Sequence, residues 1–208
     1  MVNTDGLKAL AGKRAVKAEA LWTPPTMADF REGFVLAFDP SLSATGFVWL
    51  ASVVTPIGHR LEVHSGEVHG TKAPEDVKGK MADVMRGQQL HWSFRNLLES
   101  FLPIKDDVEV VHEAPPTGGG RIRSPESALL ASLALRIAAE GLGFILAPPV
   151  AVATHRKLVC GRVKDVDKKE EHRVLGTWAR DLVLGYDRHV TNEAKRDALC
   201  VGLTHLAR

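Results

Sequence analysis

The spacing of apolar and polar positions changes period several times along this chain, and each change marks an element. Phe34 to Asp39 is an apolar run closed by a carboxylate, as in a strand covered on both faces. Pro40 and the small polar residues after it turn the chain, and Thr45 to Ser52 resumes an apolar strand. Arg60 to Val68 alternates with period two, the pattern of a half-buried antiparallel strand. Lys78 to Phe101 switches to the helical period. Its expected buried stripe is Met81, Val84, Met85, Leu90, Phe94, Leu97, Leu98 and Phe101, and Pro103 ends it. Val108 to Glu113 is a second short strand that finishes on a carboxylate.

The second half is mainly helical. Ser124-Pro125-Glu126 is a helix start, with a capping serine, a proline at the first position and an early acid. That helix is expected to run to about Glu140, and its many alanines permit close packing on a sheet. Phe144 to Ala147 predicts a short strand. Thr154 is the expected cap of a short helix through Val159, and a helix over Lys168 to Leu184 follows a basic loop. The last helix starts at Thr191 or Asn192 and ends near Leu206, with Asp197 on or beside its apolar surface.

Residues 1–31 predict a basic N-terminal extension and 32–208 one folded domain. Within the extension, Thr4 to Leu21 has a helical pattern carrying Lys8, Lys13, Arg14 and Lys17; it reads as a solvated tail or as an arm for nucleic-acid phosphate. Composition adds few constraints. Of 208 residues, 45% are hydrophobic and 25% charged, ordinary for a soluble globular protein. There is no apolar run of 18 residues and no secretory h-region, so a cytoplasmic protein without membrane contact is expected. Cys160 and Cys200 read as reduced core residues.

Net charge is only +2, but its distribution is uneven. From Thr154 to Arg173 there are seven Lys or Arg against four acids, either a solvated helix face or a phosphate-binding run. Zinc-type Cys/His spacing, phosphate-loop or dinucleotide glycine signatures and a nucleophile elbow are all absent. What remains is a set of acids in apolar contexts: Asp39 and Glu113 at strand ends, and Asp197 inside a helix. Burying such a charge unpaired is costly. Asp39 therefore either caps its turn or binds something. Carboxylates brought together repel unless a cation neutralises them, and hard oxygen ligands suit Mg2+ or Mn2+.

The element order β-β-β-α-β-α-β-α with a helical end is that of the RNase H-like fold, an α/β architecture whose mixed five-stranded sheet is flanked by helices. Within it, five fragments occur in sequence: FDPSLSATG, VVHEAPP, SPESALLASLALRIAAEGLG, VATHRKLVCGRVKDVDKKEEHRVL and RDALCVGLTHL. Together they resemble the RuvC-type Holliday junction resolvases, particularly the compact versions carried by bacterial viruses, over residues 34–207. The resemblance implies that Asp39, Glu113 and Asp197 are catalytic metal-binding acids around Mg2+, with Mn2+ able to substitute. It also implies a homodimer that nicks branched DNA, four-way junctions above all, in paired strands.

Two departures stand out. The family's fourth metal-site residue, three positions before the last Asp, is here Ala194; Glu193 is the substitute candidate, or else simply a first-turn acid favoured by the helix dipole. The family's stacking aromatic after the Glu gives way to a loop with Arg121 and Arg123, candidate DNA contacts. Lys168 and Lys169 match basic residues that approach DNA in the family, with Arg156, Lys157 and Arg162 as further candidates. Two other readings stay in view. One is a non-cleaving RNase H-like protein that binds junctions or RNA–DNA hybrids. The other is an actin-like ATPase or sugar kinase, for whose duplicated fold the chain is too short.

Overall fold

A mixed sheet of six strands, ordered β5-β4-β1-β2-β3-β6, separates two helical layers. The computed structural model describes residues 22–70, 72–73, 75–115 and 125–207. Three long strands, β1 (Gly33–Asp39), β2 (Ala44–Thr55) and β3 (Gly58–His69), form an antiparallel meander. β4 (Val108–His112) then pairs parallel with β1, and β5 (Ile145–Leu146) parallel with β4. The first and fourth strands thus lie side by side.

Side chains alternate across a strand, so β1 supplies both cores. Leu36 and Phe38 point to one face, where Val108 and Val110 of β4 meet Leu90, Phe94 and Leu98 of α1 (Lys80–Glu99). Phe38 meets Phe94 edge to face, with ring centroids 5.9 Å apart. Ala131, Ala134, Ala138 and Ala139 of α2 (Pro125–Leu142) complete that layer, and their small size brings the helix close. Val35 and Ala37 point the other way, toward α3 (Val152–Cys160), α4 (Lys168–Leu182) and α6 (Glu193–Leu206). α6 is buried at every residue from Asp197 to Leu206, since it lies across β1 and β2.

The structure departs from the sequence expectations in four places. The sheet has six strands rather than five: Val183–Leu184, expected as the end of a helix, forms β6 and pairs parallel with Leu61 and Glu62 of β3. Two residues are too few to show a period, and the open edge of β3 supplies the pairing. A one-turn helix, α5 (Tyr186–His189), follows Gly185. α3 begins after Ala151 rather than at Thr154, because Val150 is still held by His112 through Val150 N–H to its carbonyl at 2.9 Å and the helix starts as the chain leaves the sheet. In α1, Met81 and Val84 are exposed, and the buried residues are Ala82, Gly87, Leu90, Phe94 and Leu98. The Thr4–Leu21 helix and the Ser124 cap lie outside the described residues.

Candidate metal-binding acid cluster

Strand parity and register bring the first two acids together. Asp39 lies two and four positions beyond Ala37 and Val35, so its side chain points to the α6 face. In the parallel pairing Phe38 faces His112, and Glu113 N–H donates to the Phe38 carbonyl at 3.0 Å. Glu113, two past Val111, thus stands beside Asp39 on the same face. The turn after Asp39 is tied by other residues: Ser41 N–H donates to Thr45 Oγ1 at 3.1 Å, and that hydroxyl donates to the Ser41 carbonyl at 3.0 Å.

α6 brings the third acid. Asn192 caps it, accepting from Lys195 N–H at 3.0 Å, and Asp197 lies in its second turn. The helix can descend this far because Gly46 faces it: a Cβ at position 46 would lie 2.3 Å from the Ala194 carbonyl carbon and oxygen. Asp197 is 3% exposed and hydrogen-bonds the Asp39 carboxyl. Burial, followed by the charges of Glu113 and Asp197, pushes the Asp39 carboxyl up to about 7. Burial also pushes Asp197 upward, but His172 and Lys168 outweigh it and hold this carboxyl below its ordinary range.

Both partners come from α4, one turn apart on the same face. His172 Nε2 lies 2.6 Å from Asp197 Oδ1. Lys168 Nζ lies 2.5 Å from Asp197 Oδ2 and 3.0 Å from Glu193 Oε1. Both Asp197 oxygens are thus engaged from α4, Oδ1 by the imidazole and Oδ2 by the ammonium. Burial opposes the charge on Lys168, yet the hydrogen bond and charge of Asp197 raise its pKa. Glu193 has its side chain 64% exposed and reaches the cluster through Lys168.

A second chain of charges backs Glu113. His155 of α3 approaches Glu113 Oε2 with Nε2 at 3.3 Å and pairs through Nδ1 with Glu171 Oε1. Arg156 Nε donates to Glu171 Oε2 at 3.2 Å. Burial would depress His155, but Glu113 and Glu171 prevail and raise it to about 9, so the ring is protonated at neutral pH. His155, Glu171 and Cys200 also bring ligand-type atoms within 4.8 Å of one another. Their pairings are already used internally, and burial pushes the Cys200 thiol well up, away from the thiolate a metal needs.

The acid cluster, by contrast, suits a divalent cation. It sets three acids near enough to act on one another by charge, and burial together with Glu113 and Asp197 pushes the Asp39 carboxyl up to about 7; carboxylate oxygens of this kind are hard ligands. Asp39, Glu113 and Asp197 are the residues that would hold the ion.

The other anticipated residues are dispersed. Lys169, Lys157 and Arg162 are exposed, with Arg162 3.8 Å from Glu170; Arg156 is turned onto Glu171. Arg121 and Arg123 lie outside the described residues. A cleft of about 690 Å³ beside the cluster is lined by Lys168, Lys169, Arg173, Arg180, Tyr186 and Arg196, among others. Sequence reasoning did not single out Glu171, or the acid-holding roles of His155 and His172. A signal for Glu171 existed: it shares a helical stripe with buried Leu175 and Trp178, where a solvated acid does not belong.

No protein-family model matches this chain, and no curated protein matches it. Solved structures do. RuvC of Thermus thermophilus in complex with Holliday junction substrate matches at 19% identity, with a TM-score of 0.56, covering 84% of this chain and 93% of that one. A second Thermus thermophilus RuvC structure matches at 18% identity and a TM-score of 0.58 over the same shares. The yeast mitochondrial Holliday junction resolvase Ydc2 matches at 9% identity and a TM-score of 0.54, over 86% of this chain and 79% of that one. The chain has the RuvC-type version of the RNase H-like fold.

Proposed function

We propose that this protein is a Mg2+-dependent, structure-selective DNA endonuclease that resolves four-way junctions and related branched DNA by paired phosphodiester nicks. The observation that carries this reading is the meeting of Asp39, Glu113 and Asp197 at one end of the sheet, where Asp39 is held to about 7 by burial and by the other two acids. The likeness of the fold to RuvC and to Ydc2, described as Holliday junction resolvases or as bound to such a junction, supports the choice of substrate.

In this reading the three acids hold divalent ions and orient them toward a phosphate. Bound there, Mg2+ or Mn2+ supplies an activated water and charge stabilisation for the leaving oxygen. His172 fixes the Asp197 carboxylate, and Lys168 places a positive charge at the mouth of the cluster. Glu193 is the fourth acid candidate; it comes into play once Lys168 releases it toward DNA phosphate. The cleft with Lys169, Arg173, Arg180 and Arg196 continues from the cluster and tracks the backbone of one arm. Lys157 and Arg162, both exposed, are further candidates for phosphate contact, as are Arg121 and Arg123 on sequence grounds, while Arg156 acts mainly through Glu171.

A four-way junction has two-fold symmetry, so paired nicks call for two copies of the chain, one per opposed strand. The test is cleavage of a labelled synthetic junction with Mg2+. Asp39→Asn should keep junction affinity and lose cleavage by at least about 10³-fold, the scale of a lost transition-state contact; equal cleavage by the variant would sink the assignment. The same titration settles the non-cleaving alternative, since nicks at any Mg2+ or Mn2+ concentration exclude it. Neutralising Lys169 or Arg180 should weaken binding to all junction sequences and lower the salt slope by about one each, measured by titration at several salt concentrations.

A further inference from the structure

The helix pair α3–α4 buries more charge than its packing requires. Glu171 is 1% exposed and His155 2%, each in the apolar layer beneath the sheet. A buried ion pair contributes little stability compared with apolar side chains of the same shape, because desolvation cancels most of the attraction. The buried pair does, however, point somewhere. Arg156, part-exposed on α3, fixes Glu171 Oε2; Glu171 Oε1 fixes His155 Nδ1; and His155 Nε2 is left aimed at Glu113 Oε2.

Glu113 needs such a fixture. It stands just past the end of β4 and before residues 116–124, so the strand ladder holds its backbone through Phe38 and Val150 but not its carboxylate. A ring anchored at Nδ1 by Glu171 presents Nε2 in one direction, and there it meets Glu113 Oε2 at 3.3 Å. The same residues explain why Arg156 faces inward although its segment is basic.

We infer that Arg156, Glu171 and His155 form a buried positioning relay that sets the Glu113 carboxylate for metal binding, with Glu171 as its pivot. The relay rests on the reading of the acid cluster as a divalent-metal site, but not on what the loaded site does to DNA. The three residues touch neither substrate nor the ion; they act through Glu113. Outer partners of this kind characteristically alter metal affinity by 10- to 100-fold.

The test is calorimetric titration of Mn2+ into the full chain without DNA, for the parent protein, Glu171→Gln, Glu171→Asp and Arg156→Gln. Glu171→Gln should bind Mn2+ 10- to 100-fold more weakly, and Glu171→Asp should recover part of the loss. Arg156→Gln should shift affinity in the same direction by a smaller factor. Junction cleavage by Glu171→Gln should return toward the parent rate at saturating Mg2+, a rescue that a merely structural defect would not show. A folded Glu171→Gln that binds Mn2+ like the parent overturns the relay. If that variant does not fold, parent-like Mn2+ affinity in Arg156→Gln overturns it instead. A parent chain whose Mn2+ affinity depends on Glu171 as expected yet nicks no junction refutes the nuclease reading and leaves the relay standing. A parent that binds no Mn2+ removes both.

Discussion

At the scale of single residues, Asp39 carries the most direct consequence. Its carboxyl is raised from 3.8 to about 7, so the folded state holds a proton that the unfolded chain has already lost. Metal-free protein is therefore stabilised by this group at low pH and loses that contribution as pH rises from about 4 through 7, by roughly 1–4 kcal/mol. Divalent metal must displace the same proton. The thermal shift produced by Mg2+ should thus be larger at pH 8 than at pH 5.5, with affinity falling about tenfold per pH unit below 7. Asp39→Asn should raise the metal-free melting temperature at pH 8 and abolish most of the Mg2+ shift. A pH-independent shift in differential scanning calorimetry would contradict this account. The neighbouring Lys168 shows what a residue's context conceals: the basic run around it suggests solvent or phosphate, while its ammonium sits 2.5 Å from Asp197.

At the scale of elements, the site depends on how closely α6 lies on the sheet. Gly46 admits the Ala194 backbone at one end, and Gly202 admits Leu50 and Ala37 further along, where a Cβ would lie 2.4 Å from Leu50 Cδ1. Gly46→Val should push the first turn of α6 outward and cost about 1–3 kcal/mol, the usual penalty for overpacking. Because Asp197 follows in the next turn, Mn2+ affinity should fall as well, as titration of the folded variant would show. The elements themselves were largely legible. β1 to β4 and the long helices announce themselves by period, and α6 begins one residue after its asparagine cap. β6 was not legible, since a two-residue strand has no period and exists because β3 offers it an edge. Nor was the exposure of Met81 and Val84: an apolar residue on a helix says that it prefers to be covered, not by what.

At the scale of the whole molecule, the sheet separates the acid cluster and its basic cleft from the layer formed by α1 and α2. That second layer keeps an apolar groove at its surface, lined by Val84, Trp92, Leu133 and Ile137 among others, with Trp92 61% and Ile137 58% exposed. Exposed apolar area of this kind marks an interface. On the proposed junction-resolving function, which calls for two copies of the chain, a second copy is its expected occupant. Trp92→Glu combined with Ile137→Glu should convert a dimer to a monomer in sedimentation analysis and leave the fold intact by circular dichroism. The monomer should make single, uncoupled nicks instead of resolving the junction. A parent chain that sediments as a monomer at micromolar concentration would refute this assignment. No helix among the described residues is long and apolar enough to cross a membrane.

The sequence by itself determined which acids stand out, because a carboxylate closing an apolar strand or interrupting an apolar helix is conspicuous against its neighbours. It also announced β1 to β4 and the long helices, while the pairing of β1 with β4 that sets Asp39 beside Glu113 follows from the fold those elements resemble. Tertiary structure alone decided what surrounds those acids: that His172 and Lys168 hold Asp197, that His155 and Glu171 stand behind Glu113, and that Arg156 turns inward. The reason is physical. Periodicity reports which face of an element is covered, a local property of the chain. Charge compensation depends on distances between elements far apart in sequence, and those are set only when helices settle on the sheet.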